Sequence, residues 1–307
     1  MTNENFTPAV QKALAEIHTK IAEIYENSQQ IPLREQPTET LIGTMESIIF
    51  EIKLRMGTEA TKTLQELPVG AKIRDKNTKY YGAPVVWLVA DHGHYGPTQT
   101  TLLAERILAF KAFDAKEPRN PNERRADWGN NEYQVSNIGQ WLNSYKENWF
   151  TPLHEYDQAP TEENVYGNPY AEEKGFLANF SQEFIQQIND SVQGKVFLLS
   201  AEEVGLSDEG KPLAIFTDNN SRKAYPTPEC VQIDDEGSAD EADWWWLRTP
   251  YAGSSYYARY VHTSGALNYN FAHIGYDGVR PALNLPSTIR VTAEPDENGI
   301  YDVVWGS

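Results

Sequence analysis

A single cysteine, Cys230, in 307 residues excludes an internal disulfide and any cysteine-rich metal site. Positive charge is scarce as well: 26 Lys and Arg stand against 44 Asp and Glu, a formal charge of −18. A partner held mainly through phosphate contacts needs a basic surface. Neither nucleic acid nor an anionic membrane is therefore an expected partner. No apolar run approaches the roughly 18 residues of a membrane span, so membrane insertion is not expected. The opening MTNENFTPAV lacks the basic segment and apolar core of a signal peptide. The expectation is synthesis in the cytoplasm, with a place in a phage particle or on a cell surface left open.

Catalytic signatures are missing too. Neither G-x-S-x-G nor H-E-x-x-H occurs, and no glycine loop of the phosphate-cradling kind is present. The six histidines are scattered, whereas a hydrolase needs nucleophile, base and orienting group held together. His92 and His94, in DHGHYG, read as turn residues rather than metal ligands. Asp234, Asp235, Glu236, Asp240, Glu241 and Asp243 form an acidic run without the ordered spacing of a calcium loop, and read as solvated. No catalytic residue, metal or cofactor is expected.

What is present divides the chain in two. In the first part, residues 1–67, Thr7 and Pro8 suit a helix start. Val10, Leu14, Ile17, Ile21 and Ile24 follow at steps of four and three, an apolar stripe of coiled-coil spacing. Pro32 and Pro37 interrupt, and Leu41, Met45, Ile48, Ile49 and Ile52 mark a second helix. A helical hairpin is expected here, packed on its own domain or serving homo-oligomerisation. From about Val69, within a second domain at 68–307, short strands take over. Val85 to Val89 is β-branched and buried in pattern, and Leu102 to Phe113 suggests a strand or two. Asn137 to Tyr145 and Phe176 to Ile188 read as helices, and Lys195 to Ser200 as a strand. Ser207 to Glu241 is a polar excursion. Trp244 to Val291 is strand-rich, with Gly and Pro punctuation, and there are no tandem repeats.

Four blocks carry a resemblance. Val86-Trp87-Leu88-Val89, IGQWLN at Ile138 to Asn143, VFLLSAEE at Val196 to Glu203, and the pair Trp245-Trp246-Leu247-Arg248-Thr249-Pro250 and Gly278-Val279-Arg280-Pro281-Ala282-Leu283 occur in the order of a widespread bacterial and phage domain running from WWLRSP to GVRPAL. That domain is similar to C-type lectin folds of the formylglycine-generating-enzyme subtype. The same subtype serves the variable proteins of diversity-generating retroelements, which this chain resembles. The resemblance implies an α+β class: a C-type lectin-like fold preceded by the N-terminal helical hairpin. It also implies a non-enzymatic binding function. Formylglycine-generating enzymes use a reactive cysteine pair, and this chain has one cysteine.

In such retroelements an error-prone reverse transcriptase randomises template adenines, usually in AAC codons, which never yields Lys, Glu, Gln, Met or Trp. Those five types supply 68 of the 307 residues, yet none occurs from Leu247 to Ala293, where about ten would be expected. The variable segment is placed at 251–277, with a hairpin turning at Ser264-Gly265. Alternation then sets Tyr260 and His262 on one face and Arg259 and Val261 on the other. Expected contact positions are Tyr251, Ser255, Tyr256, Tyr257, Tyr260, His262, Asn268, Tyr269, Asn270, Phe271, His273, Ile274, Tyr276 and Asp277. Of these, Phe271 and Ile274 are the positions expected to be buried if any are. Tyrosine with Ser, Asn and His is the chemistry of an antibody-like paratope.

The framework is assigned to Trp245, Trp246 and Leu247 in a core strand, to Gly278 at a turn, and to Arg248 and Arg280 bracing the backbone. The expected partner is a protein or glycan on a cell or phage surface. Three alternatives stand beside this one: a fixed-specificity adhesin or glycan-binding module of the same fold, an enzyme of the same fold with a pocket at Cys230 or the histidines, and a structural particle subunit.

Overall fold

The computed structural model describes Thr19, residues 61–207 and residues 209–305. The helices expected before residue 60 lie outside these residues, apart from Thr19. By its contacts the chain divides into compact units Met1–Thr61 and Lys62–Ser307. The second unit is a mixed α+β structure that is mostly sheet.

Its larger sheet has six strands: β2 (Lys72–Tyr80), β3 (Ala83–His92), β4 (Gln99–Ala104), β6 (Val196–Phe197), β11 (Ala282–Pro286) and β13 (Ile300–Asp302). Their order across the sheet is β13-β2-β3-β4-β11-β6. A second sheet has five strands: β5 (Ala109–Phe110), β7 (Trp245–Pro250), β8 (Tyr257–Val261), β9 (Leu267–Phe271) and β10 (Gly278–Val279). Here the order is β5-β10-β7-β8-β9. A small sheet pairs β1 (Thr61–Thr63) with β12 (Arg290–Thr292). The helices are short: α1 (Glu123–Trp128), α2 (Asn137–Leu142), α3 (Gln182–Gln187), α4 (Asn219–Arg222) and α5 (Pro228–Asp234).

The β2–β3 hairpin turns on two residues, Tyr81 and Gly82, both at positive φ, 49° and 85°. This turn hand matches the strand twist. In β3, Val85, Trp87 and Val89 face the core at period two, as the sequence pattern suggests. Trp87 meets Phe180 and Phe184 at 6.1 and 6.3 Å between ring centroids. Those two phenylalanines come from the stretch expected to be one helix, and the expectation fails there. A 3-10 turn covers Phe176–Asn179 and Phe180 is extended. The Ser181 hydroxyl then accepts from the Phe184 amide to start α3 afresh. Phe176, Leu177, Phe180, Phe184 and Ile188 are nonetheless buried in the core, and Ile185 packs against it.

The two sheets are joined where strands change from one to the other. Only Arg280 and Pro281 separate β10 from β11. At this crossing the Arg280 guanidinium is buried 5.1 Å over the Trp245 ring and donates to the Ala104 carbonyl at 2.9 Å. Burial lowers its pKa to about 10. Gly278 is no turn residue, contrary to expectation. It sits in β10 beside Trp245, and a Cβ there would stand 2.6 Å from Ile107 Cγ2 and 2.7 Å from the Trp244 carbonyl oxygen. Close approach of strands, not φ, demands glycine at this point.

Arg248 makes the second junction. Its amide donates to the Leu199 carbonyl, and its guanidinium donates to the Leu198 carbonyl at 2.7 Å and to both Glu203 oxygens at 2.6 Å. Burial alone would raise the Glu203 pKa, but Arg248 holds it below the usual carboxylate range. Tyr95 adds a hydroxyl hydrogen bond to the same carboxylate. The blocks WWLRTP and VFLLSAEE, about forty residues apart in sequence, are thus held together by one buried ion pair.

Candidate functional site

The segment 251–277 follows directly on β7 and comprises the β8–β9 hairpin and the loop returning to β10. The hairpin closes over Gly265, at φ 82°, where any Cβ would lie 1.9 Å from the Asn219 carbonyl oxygen of α4. The turn is therefore pinned to the body of the domain. Register pairs Tyr257 with Phe271, Arg259 with Tyr269 and Tyr260 with Asn268. Tyr257, Arg259, Tyr269 and Phe271 thus share one face, and Ala258, Tyr260, Asn268 and Asn270 the other. The expected separation of Tyr260 and His262 from Arg259 and Val261 is what this register produces.

The first face carries a continuous aromatic platform. Tyr251 lies 4.2 Å from Tyr269, Tyr257 lies 4.9 Å from Tyr269 and 4.7 Å from Phe271, and Tyr256 lies 4.4 Å from Tyr257, all between ring centroids. Arg259 stacks on Tyr251 at 4.6 Å. Tyr269 is 41% exposed and the other rings are half-buried, so each presents one side to solvent. Asn268 and Tyr276 are exposed, while Ser255, His262, Asn270 and Ile274 are half-buried.

Three expected contact positions are not on the surface. Tyr260 is turned inward by alternation and stacks 5.3 Å from Trp244. His273 is buried beside Trp128, and burial with the nearby Lys116 charge lowers its pKa to about 4. Asp277 is fully buried at the entry to β10, and burial pushes it up to about 7 against the lowering effect of the Asn270 hydrogen bond. Its second oxygen, Oδ1, has no partner among the described residues.

Residues outside the segment complete the platform. Trp128, at the end of α1, extends it past Phe271 at 4.3 Å. Asn131 donates to the carbonyls of Ser254 and Tyr257, both at 2.8 Å, and Asn122 donates to the Ser255 hydroxyl at 3.1 Å. Tyr166 packs edge-on to Tyr276 at 5.5 Å. Nothing local in the sequence marks these four, since their role depends on contacts across about 110–145 residues of chain. Arg259 was within reach of sequence reasoning, because it alternates with Tyr257 on one strand.

β9 is the outer strand of its sheet, a position that invites pairing with another chain. Hydrogen bonds from the His262 amide to the Ala266 carbonyl and from the Ala272 amide to the Tyr256 carbonyl set the ladder phase. The amides of Tyr269 and Phe271 consequently point outward. Each is capped by the preceding side chain: Asn268 Oδ1 and Asn270 Oδ1 accept them at 2.9 Å. Replacing both asparagines with alanine should uncover two edge donors and promote strand-to-strand self-association. Sedimentation velocity checks this, with a concentration-dependent dimer expected in the double variant and none attributable to β9 in the parent.

The remaining candidates have structural surroundings. Both His92 ring nitrogens are engaged, with the Leu67 carbonyl at 2.9 Å and the Thr100 hydroxyl at 3.0 Å. Cys230 is buried in α5, and burial with the neighbouring Asp234 carboxylate pushes the thiol well up, the opposite of nucleophile activation. Asp234, expected in a solvated run, instead turns inward to the Lys111 ammonium at 3.2 Å and the Tyr81 hydroxyl at 2.9 Å. Among the described residues no group of three or more His, Cys, Asp or Glu is placed to hold a metal ion, and no helix is long and apolar enough to cross a membrane.

A family model described as a domain of unknown function, DUF6273, matches residues 98–287. No curated protein matches the chain, and neither does any solved structure.

Proposed function

The chain belongs to the DUF6273 family, and we propose that it is a non-enzymatic ligand-binding protein whose platform side chains are exchanged, by adenine-directed mutagenesis, to change specificity. The C-type lectin-like fold of the formylglycine-generating-enzyme subtype is part of this proposal, as is a ligand on a cell or phage surface. One observation carries the reading. Five adenine-reachable residues of 251–277, Tyr251, Tyr256, Tyr257, Tyr269 and Phe271, converge on one solvent-facing aromatic face, while the backbone beneath is locked by groups outside that face. The β8–β9 turn abuts α4, β10 abuts Trp244, and Arg248 and Arg280 tie the sheets. A rigid frame loses little entropy on binding, so affinity follows from the exposed side chains. Tyrosine-rich faces suit this because each ring offers large amphipathic area for few rotatable bonds.

The test is genomic. A near-copy of the coding segment for Tyr251 to Asp277 should lie close to the gene, beside a reverse transcriptase gene, with every difference at a template adenine. If no copy exists, the diversification is wrong, and a fixed-specificity binder built on the same platform takes its place.

A further inference from the structure

The platform is a window of unusual charge in an acidic protein. Of 44 Asp and Glu residues, only Asp277 falls between Leu247 and Ala293, and it is fully buried. At the middle of the face stands Arg259, half-buried and stacked on Tyr251. Among the described residues no carboxylate or carbonyl accepts a hydrogen bond from its guanidinium. Exposed Arg124 on α1 lies close enough to lower the Tyr257 phenol pKa, against the larger raising effect of burial. The hydroxyls of Tyr251 and Tyr269 likewise meet no acceptor among the described residues.

Within the segment the face offers donors and apolar rings but no anionic acceptor; the exposed carboxylates that adjoin Trp128 in sequence, Glu123 and Asp127, belong to α1 and share it with Arg124 and Arg125. A neutral sugar, whose hydroxyls both donate and accept, finds no accessible carboxylate within the segment. The ring faces would attract a cation, but Arg259 already occupies that of Tyr251 and repels a second positive charge. A guanidinium seated over a ring leaves its donor fork free for a carboxylate. Beside it, Phe271 and Trp128 supply an apolar shelf whose one polar atom, the indole nitrogen of Trp128, is buried and meets no partner among the described residues.

Building on the binding function proposed above, we propose that this surface takes an acidic segment of a partner protein. A carboxylate seats on Arg259, and an adjacent apolar side chain lies across Phe271 and Trp128. Electrostatic matching here sets which partner is accepted more than how tightly it is held.

The experiment selects random twelve-residue displayed peptides against the full chain and compares it with Arg259→Ala, Arg259→Glu and Tyr269→Ala. Circular dichroism and thermal melting verify that each variant is folded. Enriched peptides should carry Asp or Glu next to an apolar residue. Arg259→Ala should weaken them about tenfold, as loss of one charge-assisted hydrogen bond does, and Arg259→Glu should select basic peptides instead. Neutral or basic peptides that depend on Tyr269 but not on Arg259 would overturn the acidic partner and leave the binding surface standing. Peptides indifferent to both positions would remove the surface itself. A sulfated oligosaccharide array bound through Arg259, with no peptide enriched, would replace the protein partner by an anionic glycan and refute the proposal.

Discussion

Replacement of Arg248 by Met is expected to destabilise the domain by about 3–5 kcal/mol, the cost of leaving one member of a buried pair unpaired. The lost interactions are specific: two hydrogen bonds to Glu203 at 2.6 Å and one to the Leu198 carbonyl at 2.7 Å. Glu203 is 5% exposed. Without its cation it keeps the Tyr95 hydroxyl and the Ser200 amide, which do not neutralise a charge. Its pKa should therefore rise from below the ordinary range, and the variant should recover stability as the pH falls and the carboxyl takes up a proton. A second substitution, Glu203→Gln, should restore part of the loss, because the uncompensated charge is then gone. Urea titration of the parent, both single variants and the double variant measures the coupling. A single-variant loss under about 1 kcal/mol, typical of a solvent-exposed pair, would mean that the junction between the sheets does not depend on this contact.

Asp277→Asn should have the opposite sign at neutral pH. In the folded protein this carboxyl titrates at about 7 instead of the ordinary 3.8, with burial the first cause and Asp243 adding repulsion. Between these values the folded state holds a proton that the unfolded chain has released. Stability therefore falls as pH rises from about 4 to about 7 and is level above that. Roughly three units correspond to about 4 kcal/mol. His273 works the other way: its folded pKa, about 4, lies below the ordinary 6.5, so its contribution is lost as pH falls through that window. In the parent the two slopes largely offset each other. In Asp277→Asn only the histidine slope should remain. The stability difference between variant and parent should grow from near zero at about pH 4 to a few kcal/mol at about pH 7.5. Asparagine can still accept from Asn270, whose Nδ2 lies 2.8 Å from Asp277 Oδ2. A difference that does not change with pH would show that Asp277 does not titrate in this range. Asparagine is also what an AAC template would encode at this position.

The final block was the most legible part of the sequence. Trp245, Trp246 and Leu247 are fully buried in β7, the hairpin turns at Ser264-Gly265, and alternation separates Tyr260 from Arg259 as expected. What the pattern could not say is which face looks inward. Tyrosine serves either side of a sheet, so hydrophobicity does not distinguish Tyr257 from Tyr260. Packing of Tyr260 on Trp244 and Trp246 decides it. Asp277 and His273 were misplaced for a related reason, since polar character suggests solvent until the depth of the loop is known. Gly278 reads as a turn because strands crossing at contact distance leave no local signature. Asp234 sits in an acidic run, and only the distant Lys111 reveals that it points inward. The platform is half readable: its tyrosines lie in one segment, but Trp128 and Asn131 arrive from the chain before α2.

Deep sequencing of the codons for Tyr251 to Asp277 in the native population tests most directly whether a fixed frame carries an exchangeable face. Replacements should concentrate at Tyr251, Tyr256, Tyr257, Tyr269 and Phe271, with Ala258, Gly265 and Gly275 unchanged. Invariance across the segment, or replacements as frequent at the tightly packed glycines as on the platform, would contradict a fixed frame with exchangeable side chains.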